Sequence, residues 1–534
     1  GSNAWALAPS RTRSGKAILL RNPHLAWTAG YYEAHVTVPG KLNFYGDFRI
    51  GGPLGIIGGF NERLGWATTN NDVDTDEVYA LEPDPERPDH YRFDGASVPL
   101  RRELVTVEFR NGPGLSRETR ELWTTPLGPV VARSGGRIYV YRSATLGEWR
   151  SGDQFLRMMK ARNLEEWKAA MRLRGRPVSN FIYADADGNI FYVWNGTVPL
   201  RPHPPGGDGD AVPVARSSEI WRRVLPWDSL PQLLNPRGGY VHNENDPFHY
   251  TNLNQVLDSA AFPPGLPGPL LGLRSQHALE LIHGRRKLSL EDVVRLKHSY
   301  RMLLADRVKS DLVAVVRAAG GGAEVMAAAD LLERWDNTAA PESRGAALFV
   351  AWWERYLRLV RPRAGGVPLV RDARVFREPW TPADPLRTPR GLADPARAAE
   401  AFARAVEELA REAGSWDVAW GERVRVRRGP VDVPVGGCPG ELGCFRVLWL
   451  ERDADGKYRV TGGDGWVLAV EFTSPPRAYS VLAYGQSAKP DSPHYADQAA
   501  MFARGELKRV AFTEAEIERQ VIRRYRPGVK EAAA

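Results

Sequence analysis

The chain has 534 residues, 43% hydrophobic and 25% charged, with 17 Trp, 18 Tyr and 17 Phe, which excludes a disordered chain with nothing to bury. No apolar run approaches the roughly 18 residues of a spanning helix, so no membrane span is expected. Two cysteines support neither a disulfide scaffold nor a four-thiolate zinc site.

The formal charge of +8 comes from 72 basic against 64 acidic residues. The excess is almost all arginine, interleaved with acids as in Arg371-Asp-Ala-Arg374. A nucleic-acid binder would carry a dense basic stripe with stacking aromatics. The short clusters Arg157 to Arg162 and Arg425 to Arg428 are no longer than solvated faces carry, so no nucleic acid is expected as a partner. The arginine bias fits a hot environment or a GC-rich genome equally well.

In chain order, Lys16 to Leu20 is a short apolar segment of strand length, with no signal peptide before it. His35 to Val38 alternates, Gly51 to Gly55 reads as a tight loop, and Leu104 to Phe109 and Arg137 to Tyr141 alternate with period two. Helical spacing interrupts once, over Gly152 to Leu173, before the turn Asp185 to Gly188 and the strand Asn189 to Trp194. A helical regime follows over 275–412. Ser289 is an N-cap ahead of Leu290, and further helices are predicted near 302–318, 322–335, 343–360 and 394–412. The Pro-rich stretch 363–393 lacks periodicity. Strands return at Phe445 to Leu450, Gly465 to Phe472 and Tyr479 to Tyr484. Strands at both ends of a helical insert predict one composite α+β unit, with a core over 2–274, a mainly helical insertion over 275–412 and return strands over 413–534.

Four segments carry candidate chemistry. A serine next to a terminus is commonly the remnant of a cleaved tag, yet Ser2-Asn3 runs into Trp5 and a strand without a linker. As a first residue, Ser2 could use its own α-amine as the base for its hydroxyl, a form of nucleophilic catalysis that needs no remote triad. His24, in Arg21-Asn22-Pro23-His24, stands alone, and a lone histidine is more often structural than catalytic. Gly65 to Glu77 ends in acidic residues that suit calcium or a solvated turn, without EF-hand spacing. Gly239 to Pro247 packs short polar side chains that suit a site or a turn.

The order and spacing of these four segments resemble the penicillin acylase family of N-terminal-nucleophile hydrolases. The late segment Ser492 to Gln498 resembles that family's C-terminal motif. The resemblance covers essentially the whole sequence, read as a β-subunit beginning Ser-Asn, and is nearest to acyl-homoserine lactone and aliphatic penicillin acylases. It implies an αββα four-layer sandwich with a helical insertion, autoproteolysis of a zymogen at the Gly1–Ser2 bond, and a heterodimer with an α-subunit from the same precursor. It implies an amidohydrolase that releases an acyl group from a small-molecule acyl amide such as a penicillin or an N-acyl-homoserine lactone. Cephalosporin or lipopeptide cleavage, or a non-catalytic binding protein on the same fold if Ser2 is never liberated, are the alternatives.

Residue by residue, the resemblance makes Ser2 the nucleophile, Asn70 a backbone N–H donor to the oxyanion and Asn245 a side-chain donor, with Arg274 bracing Asn245. His24 stands beside the nucleophile, with Glu471 as its partner by analogy with cephalosporin acylases. Asp74, Asp76 and Glu77 fall at the family's calcium positions, with Glu in place of Asp at the last; the calcium would be structural. With Gly1 attached, the α-amine of Ser2 is tied up in a peptide bond. Cys438 and Cys444 are close enough in sequence for a small-loop disulfide, the alternative being two buried thiols. The disulfide agrees with the periplasmic or secreted location common in the family.

Overall fold

The computed structural model describes residues 1–49 (the side chain of Arg49 excepted), 57–206, 210–284, 287–363, 365–526 and 528. The loop expected at Gly51 to Gly55 lies outside them.

The first strand, Ser2–Leu7, is buried along its whole length. An apolar strand buried on both faces needs a neighbour on each edge. Ile18–Ala26 lies on one edge, with Ser2 opposite Pro23 and Leu7 opposite Ile18, and Tyr240–Asn243 lies on the other, with Ala4 opposite Asn243. The second strand is shared in turn. Its start pairs with Trp466–Glu471, Ile18 facing Glu471, and its end pairs with Tyr458–Asp464, His24 facing Asp464. Segments hundreds of residues apart thus form one ten-stranded sheet.

A seven-stranded sheet, which includes Leu64–Thr69, Val178–Asp185 and Ile190–Gly196, packs against it. Trp5, Trp66, Tyr183 and Trp466 are fully buried, and Trp5 stacks on Phe445 at 4.6 Å. Between the sheets, the buried Arg21 forms a bidentate pair with Asp47 at 2.7 and 3.2 Å and donates to Thr68 at 3.1 Å. A Cβ at Gly58 would stand 2.6 Å from that guanidinium, so the position admits no side chain.

Helices cover the outer faces. Ser151–Lys160 and Leu164–Met171 lie on the seven-stranded side; the single helical stretch expected over Gly152 to Leu173 is split at Asn163, whose side chain caps the second helix. Leu273–Ile282 and Leu290–Lys297 lie on the ten-stranded side. Ser289 and Asp292 close a reciprocal capping box at 3.0 Å each way. Leu303–Ala319, Ala323–Arg334, Ala346–Val360 and Pro395–Ala413 complete the helical part. There Trp352 and Tyr356 meet the small residues Ala398 and Ala401, and the Trp352 indole donates to the Ala398 carbonyl at 3.0 Å. The resulting order of helix, sheet, sheet and helix is a four-layer α+β sandwich, as expected from the sequence.

A third sheet stands apart on its own small core of Tyr79, Leu81, Ile138, Val140 and Trp221. Its hairpin Arg101–Asn111 and Gly114–Thr125 is largely exposed. Cys438 and Cys444 are disulfide-bonded with Cα atoms 5.5 Å apart, not two free thiols.

Candidate active site

The sheet register delivers Ser2, His24 and the residues after Asn243 to one point. Ser2 is buried, and its backbone N–H donates to Asn245 Oδ1 at 2.8 Å. Its Oγ donates to the Gly1 carbonyl at 2.6 Å, and the His24 N–H donates to that same carbonyl at 2.8 Å. The Gly1–Ser2 peptide is therefore polarised by two donors, with a hydroxyl against it. Burial, with the Arg274 charge beside it, holds the Gly1 amine down to about 6.

Asn245 turns out of its strand with φ +81°, a left-handed conformation that asparagine tolerates better than most residues. Its N–H donates to Asn243 Oδ1 at 2.7 Å, which fixes the turn. Its Nδ2 donates to the Asn70 carbonyl at 2.9 Å, so Asn70 and Asn245 meet across the cleft between the sheets. Arg274, in the first turn of Leu273–Ile282, ties the cluster together. Nη2 donates to Asn245 Oδ1 at 2.9 Å, and Nη1 donates to the Ser2 carbonyl and to Asn3 Oδ1 at 2.7 Å each. A fixed planar fork suits three acceptors at set angles. Gly440, in the disulfide loop, packs so closely behind Arg274 that a Cβ would stand 2.9 Å from Nε.

His24 is buried, with Nε2 between Asn22 Oδ1 at 2.9 Å and Asp464 Oδ1 at 3.1 Å. The Asn22 amide is oriented by its donation to the Trp466 carbonyl. Two oxygens around Nε2 assign the proton to that nitrogen and leave Nδ1 unprotonated. Burial holds His24 down to about 3, so the ring is neutral.

Glu471 is not the partner of His24. It pairs with Arg477 at 3.1 Å, opposite Ile18, six residues back along the second strand, or about 20 Å at roughly 3.3 Å per residue. Asp464 holds the partner position. It was absent from the sequence reading, where the visible signal was an acid between glycines, Gly463-Asp464-Gly465, at the mouth of an apolar strand.

Asp74, Asp76 and Glu77 lie together, on a turn that a cation already serves. Arg201 donates to Asp74 Oδ1 and to the Asp76 carbonyl at 2.7 Å each, and its Nε stands 3.4 Å from Glu77 Oε2. The Tyr141 hydroxyl donates to Asp76 Oδ2 at 2.6 Å, and the Gly206 N–H donates to Glu77 at 3.0 Å. Calcium needs six or more oxygens turned onto one point. Among the described residues no group of three or more His, Cys, Asp and Glu is disposed to hold a metal. Arg201 thus takes one carboxylate oxygen each of Asp74 and Glu77, and Tyr141 takes one of Asp76.

A pocket of about 520 Å³ opens beside Gly1 and His24, lined on its far side by Leu270, Val370, Val447 and Trp449. No helix among the described residues is long and apolar enough to cross a membrane.

The penicillin amidase family model matches residues 1–519. Acyl-homoserine lactone acylase PvdQ of Pseudomonas fluorescens is 30% identical over 97% of this chain and 69% of its own length. Aculeacin-A acylase of Actinoplanes utahensis is 29% identical over the same shares of the two chains. Penicillin G acylase of Escherichia coli is 27% identical over 46% of this chain and 29% of its own. The solved thermostable penicillin G acylase from Alcaligenes faecalis superposes with a TM-score of 0.67 at 19% identity, covering 100% of both chains. The chain belongs to the penicillin amidase family, whose members are processed into two subunits and hydrolyse amide bonds.

Proposed function

We propose that this chain is the long subunit of an exported acylase in which Ser2 attacks the substrate amide. The observation that carries the reading is the convergence of Ser2, Asn245, Asn70, His24 and Arg274 on the Gly1–Ser2 bond. Cleavage of that bond frees the Ser2 α-amine. The same burial and the same Arg274 charge that lower the Gly1 amine would keep a Ser2 amine neutral near pH 7, as a general base must be. The amine takes the Oγ proton as Oγ adds to the carbonyl carbon. The oxyanion is received by Asn245 Nδ2 and the Asn70 N–H. The proton passes to the leaving nitrogen, the acyl group stays on Oγ, and water releases it by the reverse sequence.

N-acyl-homoserine lactones and aliphatic penicillins rank first as substrates, cephalosporins and lipopeptides behind. The acyl-homoserine lactone acylase similar over nearly the whole chain supports the lactones, the aculeacin-A acylase of equal coverage keeps its own substrate class in view, and the apolar residues lining the pocket suit an acyl chain. Activity of this kind would quench quorum signals or blunt an antibiotic. An α-subunit from the same precursor is the expected partner, and the Cys438–Cys444 bond supports a periplasmic or secreted site of action.

The test is hydrolysis of a series of acyl chain lengths, on both lactone and penicillin nuclei, by the enzyme expressed from its full precursor, with intact mass to read the start of the long chain. The reading expects turnover together with mass at Ser2. Turnover with Gly1 retained would overturn the mechanism. Absence of turnover by a chain that begins at Ser2 would overturn the function.

A further inference from the structure

Behind His24 and Asp464 stands a third buried group, Lys297, the last residue of the helix Leu290–Lys297. Its side chain has no solvent exposure. Nζ donates to Asp464 Oδ2 at 2.7 Å and to the Phe445 carbonyl at 3.1 Å, and lies 5.2 Å from the Phe445 ring, which stacks on Trp5 of the nucleophile strand. The Phe445 carbonyl also accepts from Asn3 Nδ2 at 2.7 Å. A continuous polar chain therefore runs from the helical part of the molecule through Lys297, Asp464 and His24 to the Gly1–Ser2 peptide.

An uncompensated carboxylate in that position has two ways to relieve itself. It can take a proton, or it can draw a second proton onto His24. The second proton would occupy Nδ1, the nitrogen turned toward Gly1: a methyl group on Gly1 would lie 3.5 Å from it. We propose that Lys297 is a positioning residue for the Ser2 chemistry, whose ammonium balances Asp464 so that Asp464 stays ionised, His24 stays neutral with its proton on Nε2, and Nδ1 keeps a lone pair on the side of the Gly1–Ser2 peptide. The proposal rests on the acylase reading for its kinetic test and not for its geometry.

The other charged groups around the chain work in the same direction. His24 faces Asp464, Arg274 and Lys297; Asp464 also faces Arg446. Lys297 faces Asp464 with Arg446 and Arg274 beyond. The adjacent His298 is buried and neutral, held down to about 3. Burial lowers Lys297 itself to about 8, so its charge is lost at a mildly alkaline pH.

The experiment is the pH dependence of kcat and KM for wild type, Lys297→Arg and Lys297→Met, each processed from its full precursor. Wild-type kcat should fall above about pH 8 as Lys297 deprotonates. Lys297→Arg keeps its charge, because a guanidinium does not deprotonate, so it should retain activity and move that limb up by more than about one pH unit. Lys297→Met should lose about tenfold or more in kcat at pH 7 with KM nearly unchanged, the mark of a displaced proton rather than lost binding. An alkaline limb at the same pH in wild type and Lys297→Arg overturns the proposal, and that comparison stands even if Lys297→Met does not fold. If wild type hydrolyses no acyl amide, the acylase reading fails separately. The His24 nitrogen shifts then decide on Lys297: Nδ1 unprotonated at pH 7 in wild type and Lys297→Arg supports the proposal, and Nδ1 protonated in either sinks it.

Discussion

Two acidic centres in this chain are each neutralised by a cation from a distant segment, and they differ in what surrounds them. Asp464 is fully buried between Lys297 and His24. The turn at Asp74, Asp76 and Glu77 is open at its Asp74 end, where the side chain is 40% exposed, although Glu77 and Arg201 are only 5% exposed. Water shares the charge of the open turn, and an arginine there fixes the shape of a loop. In the buried centre the ion pair, its hydrogen bonds and the nearby Arg446 balance the charge in place of water, so each proton there is set by its neighbours. One centre is scaffolding, and the other reaches the Gly1–Ser2 peptide.

The sharpest way to break this contrast is Asp464→Ala. It strands the Lys297 ammonium without a counter-ion and should cost about 3–5 kcal/mol in denaturant unfolding. Asp464→Leu combined with Lys297→Met should recover most of that loss. Asn245→Ala tests the chemical side: kcat should drop about 10²–10³-fold, with a smaller loss of about 1–3 kcal/mol in unfolding from the Ser2 and Arg274 donors left unpaired.

Acid separates the two centres next. His24 is held down to about 3 in the folded chain, against an unfolded value of about 6.5. Between those values the unfolded chain binds the proton that the folded chain refuses. Stability should therefore fall as pH drops through about 6.5, by about 2 kcal/mol at pH 5 for one such histidine. Asp464, held well below the usual carboxylate range, adds stability above the unfolded carboxylate value that is lost only in stronger acid. His24→Asn should flatten the slope of the unfolding free energy between pH 7 and pH 5, and Arg201→Ala should leave it unchanged.

Arg201→Ala should destabilise by about 1–3 kcal/mol through the acceptors it leaves unpaired, and added calcium should restore part of that in the variant. A chelator should not change the wild-type melting temperature; a fall would mean that the turn holds a metal alongside Arg201. The smallest effect is expected at the exposed pair of Arg317 with Glu333, where Arg317→Ala should leave the unfolding midpoint unchanged within error.

Local signals in the sequence were legible wherever a few neighbouring residues decide the outcome. Ser289 announced the helix Leu290–Lys297 because an N-cap acts within four residues. The periodicity over 343–360 and 394–412 became Ala346–Val360 and Pro395–Ala413. The break at Asn163 was hidden because apolar spacing continues across it. Ser2, His24, Asn70, Asn245 and Arg274 were named together through a family pattern, and the structure brings them together. Asp464 and Lys297 were not legible, because 167 residues separate them and no local pattern joins them. Choosing between Asp464 and Glu471 required knowing which of them faces His24 across the sheet, and register is not a local property. Arg201 was missed at the acidic turn for the same reason, 125 to 127 residues away.

The sharing of Ile18–Ala26 between the first strand and the strands that end at Asp464 and begin at Trp466 has a consequence for the order of events during folding. Contacts between residues more than 400 positions apart form late, because closing so long a loop costs entropy before any contact can repay it. Until the final strands dock beside Ile18–Ala26, Ser2 has no placed histidine, and until Tyr240–Asn243 and Leu273–Ile282 dock it has no placed carboxamide or guanidinium. A half-made chain therefore carries a serine of ordinary reactivity. Under the proposed function, Ser2 can attack a peptide bond only once the molecule around it is finished, so completion of the fold is itself the safety catch.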